Sequence, residues 1–144
     1  MKKLIIFFLF IPFLSKAQFT IVNVSTTNLV EVRTGTWPLN LKRIIKETDT
    51  CYVLQFRDQG YANEVVMATL RFPNMEQLKY FEKGLAALRN GSNGDIAKFK
   101  DYTIKRLDVK KEGIYYVVNC VAAGETTNFQ QPDADKIIST IDKL

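Results

Sequence analysis

The 144-residue sequence contains no histidine. Histidine is the side chain whose ordinary pKa lies closest to neutral pH, and it acts as the base in Ser-His-Asp and Cys-His enzymes and as a frequent zinc ligand. The composition therefore excludes those two catalytic arrangements and any zinc site that depends on histidine.

The sequence also has no long apolar run beyond its first residues. The one such run, residues 4–14, follows a basic start at residues 1–3 and precedes small residues at positions 15 and 17, as in a signal peptide. As a helix the run would span about 16 Å, against about 30 Å of hydrocarbon in a bilayer. This favours a cleaved signal peptide, residues 1–17, over an uncleaved anchor. No cysteine follows for lipid attachment, so we expect a periplasmic or secreted chain without a membrane anchor.

The predicted mature chain has no large excess of positive or negative charge. The sequence has 20 basic and 15 acidic residues, a formal charge of +5, but Lys2, Lys3 and Lys16 lie in the predicted signal peptide. The charge of residues 18–144 is then +2, which gives little support for nucleic-acid binding. These 127 residues suit a single domain that buries about two-thirds of its unfolded surface.

Cysteine is scarce, since only Cys51 and Cys120 are present. Two thiolates cannot form a four-sulfur zinc site. The spacing of the acidic residues does not match a calcium-binding loop. The segment with glycines at 91 and 94 lacks the lysine and the glycine spacing of a phosphate-binding loop. We therefore expect no metal and no cofactor.

The two cysteines are predicted to form a disulfide, because an exported chain meets oxidants and an even count leaves no thiol over. Cys51 begins one predicted strand and Cys120 ends another. If those strands are antiparallel neighbours, a bridge would stabilise the fold by about 4 kcal/mol. The alternative is two buried free thiols that pack as small apolar residues.

Alternating apolar residues predict strands, and apolar residues at helical spacing predict two helices. The central stretch is a hairpin, residues 51–57 and 66–72 around a turn at 58–60, followed by a helix that Asn74 can cap. Residues 39–47 fit either one or two helical turns or a strand. The other predicted elements are strands at 19–24 and 29–33 around a turn at 25–28, strands at 97–107 and 114–121 around a turn at 110–113, a loop at 122–131 and a second helix.

The order of these elements predicts an α+β fold. We expect one antiparallel sheet of about five or six strands, with helices over about 74–90 and 133–143 packed on one face.

Three acids near strand ends, Asp49, Asp58 and Glu64, are the candidates for a carboxylate-based hydrolase. Such a site needs only two carboxyl groups that the fold brings close together. The alternative is that acids beside turns are solvated surface charges.

One basic and aromatic concentration is a candidate for binding a polyanion or nucleic acid. Lys98, Lys100, Tyr102 and Arg106 share a face of a predicted strand, but acids at 101 and 108 dilute the charge. The alternative is an ordinary solvated strand face.

Trp37, Arg57 and Tyr61 are the candidate recognition residues, because these residue types often anchor interfaces and lie in or beside predicted loops. For Trp37 the alternative is that its ring closes one end of the core. Together these observations favour an exported, non-catalytic domain that binds an unknown protein or small ligand. A carboxylate-based hydrolase and a module that binds polyanions or nucleic acid are the alternatives.

Overall fold

The computed structural model describes residues 22–34, 37–61 and 63–144. The predicted signal peptide and residues 19–21 of the predicted strand at 19–24 lie outside the described residues. The elements are β1 (Val24–Thr34), β2 (Trp37–Lys46), β3 (Asp49–Arg57), β4 (Met67–Phe72), α1 (Met75–Arg89), β5 (Ile96–Lys98), β6 (Tyr102–Val109), β7 (Gly113–Cys120), β8 (Thr126–Gln130) and α2 (Gln131–Asp142).

The strands form two antiparallel sheets of four strands each. The first sheet has the order β1-β2-β3-β4 and the second β5-β6-β7-β8, and each is followed in the chain by one helix. The α+β class and the antiparallel pairing are confirmed, whereas the single sheet of five or six strands is wrong. After α1 the chain starts a second sheet. Each helix then contacts strands of both sheets.

One core joins the two sheets and the two helices. Helix α1 contacts β3 and β4 of the first sheet and β5 and β6 of the second, and α2 contacts β1, β7 and β8. Alternate residues of the strands point into this core and alternate residues point away from it. Each sheet therefore has an inner face in the core and an outer face. Fully buried members of the core include Leu39, Leu54, Phe56, Leu78, Phe81, Ile104, Val118, Ile137 and Ile141.

The helices lie where the sequence predicts them. Asn74 caps α1, because its side-chain Oδ1 accepts a hydrogen bond from the backbone N–H of Gln77 at 2.9 Å. Helix α2 carries Pro132 in its first turn, where the missing N–H has no intrahelical partner to lose. Neither helix is long and apolar enough to cross a membrane, as far as the described part of the chain extends.

Several strand boundaries differ from the prediction. Residues 39–47, which fit a helix or a strand, belong almost entirely to β2, and residues 25–28 continue β1 instead of forming a turn. The 25–28 segment is polar because this part of β1 is exposed and extends beyond the core. The predicted strand at 97–107 is divided between β5 and β6, and β8 lies in the predicted loop at 122–131.

The disulfide prediction is wrong, because it assumed that the two cysteine-bearing strands are neighbours. Cys51 lies in β3 of the first sheet and Cys120 ends β7 of the second, and both thiols are free. The alternative of a buried thiol describes Cys120. Burial raises the pKa of the Cys120 thiol to about 11.

Candidate binding surface of the first sheet

The structure brings the three candidate recognition residues together at one end of the first sheet. Strand β2 begins at Trp37 and the antiparallel strand β3 ends at Arg57. The guanidinium carbon of Arg57 lies 5.1 Å from the centroid of the Trp37 ring, a cation–π arrangement. Nη2 of Arg57 also donates hydrogen bonds to the backbone carbonyl oxygens of Tyr61 at 3.3 Å and Glu64 at 3.2 Å. Arg57 therefore joins the start of β2 to the loop that follows β3.

The aromatic rings at this end of the sheet differ in exposure. The Tyr61 side chain is 52% exposed. Val65 and Met67, four and six residues further along the chain, are also exposed. Trp37 is half-buried, so its ring is not enclosed by the core. An exposed ring, a half-buried ring and a cation thus lie together at the edge of the molecule, which is the residue combination that anchors many binding interfaces.

The loop between β3 and β4, residues 58–66, is held by the second sheet. Asp58 is 3% exposed, and its Oδ1 accepts hydrogen bonds from the backbone N–H groups of Gly60 and Thr126, each at 3.0 Å. The Gln59 N–H donates to the Thr126 carbonyl at 2.9 Å, and Asn128 Nδ2 donates to Gln59 Oε1 at 2.6 Å. The start of the loop is therefore attached to the edge strand β8, which limits where Tyr61 can lie.

The three candidate hydrolase acids do not form a paired site. Asp58 is buried, but its carboxylate is occupied by backbone N–H groups, while Asp49 and Glu64 are exposed. Asp49 begins β3 and Asp58 follows its end, so the nine residues of the strand separate them by about 30 Å. Across the described ranges, no group of three or more Cys, Asp or Glu side chains is placed to hold a metal ion.

The predicted polyanion face is not a single exposed surface. Lys98 and Lys100 are exposed, but Tyr102 and Arg106 are buried. Arg106 Nη1 donates to the carbonyl oxygens of Leu88 at 2.9 Å and Arg89 at 2.6 Å, the last residues of α1, so this cation stabilises a helix end. Alternation along a strand does not distinguish a buried arginine from an exposed one, so the sequence does not predict that Arg106 is buried.

A basic surface that the sequence analysis did not identify covers the outer face of the first sheet. In the strand register Lys42 pairs with Val53, and Val53 pairs with Arg71. The two cations therefore lie on either side of Val53 in one row across three strands. Lys42 Nζ also donates to Gln55 Oε1 at 2.6 Å. Arg71 was already identifiable from the sequence as the outward residue between Leu70 and Phe72. We call this surface the basic face; its charged residues are Glu31, Arg33, Lys42, Lys46, Asp49, Arg57 and Arg71.

A groove opens at the end of the basic face that lies away from Trp37. It has a volume of about 720 Å³ and runs between the β2–β3 turn and the end of β4. Its lining includes the cations Lys46 and Arg71, the acid Asp49 and the half-buried Cys51.

The outer face of the second sheet has a different character. Lys98 and Lys105 share this face with polar residues, such as Thr103 and Asn119, and with apolar ones, such as Ile96 and Val117. A groove of about 230 Å³ on it is lined by residues that include Leu107, Val117 and Tyr115. The outer face of the first sheet therefore carries several cations, whereas that of the second combines two cations with neutral polar and apolar residues.

Comparison of the sequence with protein-family models and with curated proteins finds no match.

Proposed function

We propose that this chain is an exported, non-catalytic binding domain whose recognition site includes Trp37, Arg57 and Tyr61. The single observation that carries the proposal is the arrangement of Arg57, which lies over the Trp37 ring and hydrogen-bonds to the Tyr61 carbonyl. Three residue types that favour binding thus lie at one edge of the molecule, and the tyrosine ring is half exposed.

Export rests on the signal-like segment at residues 1–17, with residues 18–144 as a single mature domain. The proposed location is the periplasm or the medium, and the proposed ligand is a protein or small molecule found there.

The hydrolase alternative has less support than binding. Asp58 is the one buried acid in the parts of the chain that the structure covers, and its carboxylate is committed to backbone N–H groups of its own loop and of β8. Hydrogen bonds from backbone donors support a structural role for this carboxylate.

The test is capture of a ligand from the native envelope fraction by immobilised protein. Arg57→Ala and Tyr61→Ala should each weaken capture several-fold. A matched control pair exists on α1, where the Lys83 ammonium lies 5.9 Å from the centroid of the exposed Tyr80 ring. Lys83→Ala and Tyr80→Ala should leave capture unchanged.

Equal capture by all four variants would contradict the proposed site. Turnover of a glycan or ester that disappears when Asp49, Asp58 or Glu64 is replaced, in a variant shown to be folded, would support the hydrolase instead.

A further inference from the structure

We propose that the basic face binds an acidic glycan, a polysaccharide whose sugars carry carboxylate groups. This inference rests on the proposed function and names a ligand class for it. The glycan would lie across the strands of the first sheet, with one end near Trp37, Arg57 and Tyr61.

The charge of the molecule is concentrated on this face. The described residues include 17 basic and 15 acidic side chains, a nearly even balance. On the basic face the cations are Arg33, Lys42, Lys46, Arg57 and Arg71, and the acids are Glu31 and Asp49. The face therefore carries a positive excess that the remainder of the described chain lacks.

Most of these cations have no acidic partner. The ion pairs found among the described residues are Lys79–Asp142, Arg89–Asp135, Arg106–Asp108 and Lys136–Asp133. Arg33, Lys42, Lys46 and Arg71 belong to none of them. Lys46 and Asp49 are register partners across the β2–β3 turn, yet no ion pair forms between them. These cations are therefore available to an external anion.

The spacing of the cations suits a polymer better than a small anion. Lys42 and Arg71 lie on strands that have β3 between them, so their backbones are about 10 Å apart. Lys46 lies four residues along β2 from Lys42, about 13 Å away. The three cations are therefore spread across the face, and a chain with repeated carboxylates can meet each of them.

The neutral residues of the face favour a sugar polymer over a nucleic acid. Asn40, Gln55 and Thr69 form a cross-strand row of amide and hydroxyl groups, which can hydrogen-bond sugar hydroxyls. Proteins that hold single-stranded nucleic acid place aromatic rings under successive bases. The outward residues of the four strands, within the described ranges, include no Phe, Tyr or Trp away from the end at Trp37.

The experiment measures binding of the purified full chain to three probes by titration calorimetry. The probes are a polygalacturonate oligomer, the same oligomer with its carboxylates methyl-esterified, and single-stranded DNA of equal charge. The variant is Lys42→Gln with Arg71→Gln, which leaves Arg57 and Tyr61 in place. The matched control is Lys98→Gln with Lys105→Gln, two cations on the outer face of the second sheet.

The proposal predicts that polygalacturonate binds and that the ester does not. The Lys42/Arg71 variant should bind polygalacturonate about tenfold more weakly, as expected for the loss of two charge contacts at the surface, and the Lys98/Lys105 variant should be unchanged. Binding should weaken with added salt. Thermal unfolding of each variant checks that the fold is intact.

Three results would overturn the inference: no binding of polygalacturonate, a loss confined to the Lys98/Lys105 variant, or DNA binding that is tighter and equally sensitive to Lys42 and Arg71. If polygalacturonate fails to bind while envelope capture still depends on Arg57 and Tyr61, the glycan inference fails and the proposed function stands. If capture does not depend on Arg57 and Tyr61, the proposed function itself fails.

Discussion

At the scale of single residues, the buried Asp58 side chain links its own loop to the second sheet. Its Oδ1 accepts hydrogen bonds from Gly60 in its own loop and from Thr126 in the other sheet. Backbone donors from both parts of the molecule therefore bind this one carboxylate oxygen, alongside the Gln59 contacts with β8.

Replacing Asp58 with alanine should lower the free energy of unfolding by about 2–4 kcal/mol, because it removes two charge-assisted hydrogen bonds and leaves two part-buried N–H groups without this acceptor. Asp58→Asn keeps an acceptor oxygen and should lose less. Urea denaturation measures both, with the exposed Glu64→Ala as a control that changes stability by under about 0.5 kcal/mol. An Asp58→Ala variant as stable as the parent would show that this link contributes nothing.

Cys120 gives a prediction about alkaline pH. Burial is the main cause that raises its thiol pKa to about 11, and the negative charges of Glu125 and Asp58 add to it. The folded chain therefore holds this proton at pH values where the unfolded chain, with an ordinary thiol pKa of about 8.5, has lost it. The stability contributed by the neutral thiol is complete below the unfolded pKa and is lost as the pH rises toward 11.

The measurement is urea denaturation at several pH values up to about pH 11, for the parent chain and for Cys120→Ala. The parent should lose stability more steeply than the variant over this range, because only the parent has this thiol. Identical slopes would mean that Cys120 titrates as it does in the unfolded chain.

At the scale of elements, Gly84 sets the distance between α1 and the second sheet. A methyl group placed on Gly84 would lie 2.6 Å from Phe99 Cζ and 3.0 Å from Phe99 Cε2. The Phe99 ring cannot retreat freely, since it stacks on Tyr102 with the ring centroids 4.5 Å apart. The helix therefore needs glycine here for close packing.

Gly84→Ala should lower the free energy of unfolding by about 1 kcal/mol, because strain from overpacking exceeds the gain in helix propensity. Adding Phe99→Leu should relieve the contact, so the double variant should lose less stability than the sum of the two single variants. Thermal denaturation of all three gives the coupling. Strict additivity would contradict the proposed contact.

The elements that could be predicted from sequence are those with strong local signals. Helix α1 combines the Asn74 cap with apolar residues at helical spacing, and β3 and β4 alternate regularly, so all three lie close to their predicted positions. The 39–47 segment is too short for periodicity to distinguish helix from strand. The polar start of β1 resembles a turn because no core contact requires apolar residues there.

At the scale of the whole molecule, the sequence does not reveal that the strands divide into two sheets. Local patterns determine which residues form strands, but sheet membership depends on distant contacts, such as those of α1 and α2 with both sheets. The disulfide prediction assumed that two strands are neighbours, and the polyanion prediction assumed that four residues share an exposed face. Both properties depend on tertiary packing, which local patterns do not determine. Residue type and loop position identify Trp37, Arg57 and Tyr61 as candidates one by one, whereas strand pairing decides that Trp37 and Arg57 lie together.

The two-sheet arrangement predicts that both thiols remain free. Alkylation of the unreduced, unfolded protein should modify Cys51 and Cys120, and a reductant should leave the thermal midpoint unchanged. Mass spectrometry and calorimetry give the two readouts. A product with no alkylated cysteine would mean that β3 and β7 approach each other in a way that this fold does not allow.

The most direct test of the central claim uses the single tryptophan of the chain. Protein labelled with fluorotryptophan has one fluorine NMR signal, from Trp37, which unlabelled envelope components cannot obscure. We predict that the native envelope fraction shifts or broadens this signal, that Tyr61→Ala reduces the effect, and that Tyr80→Ala does not. Capture of an envelope ligand with no change in the Trp37 signal would place binding elsewhere and contradict the account.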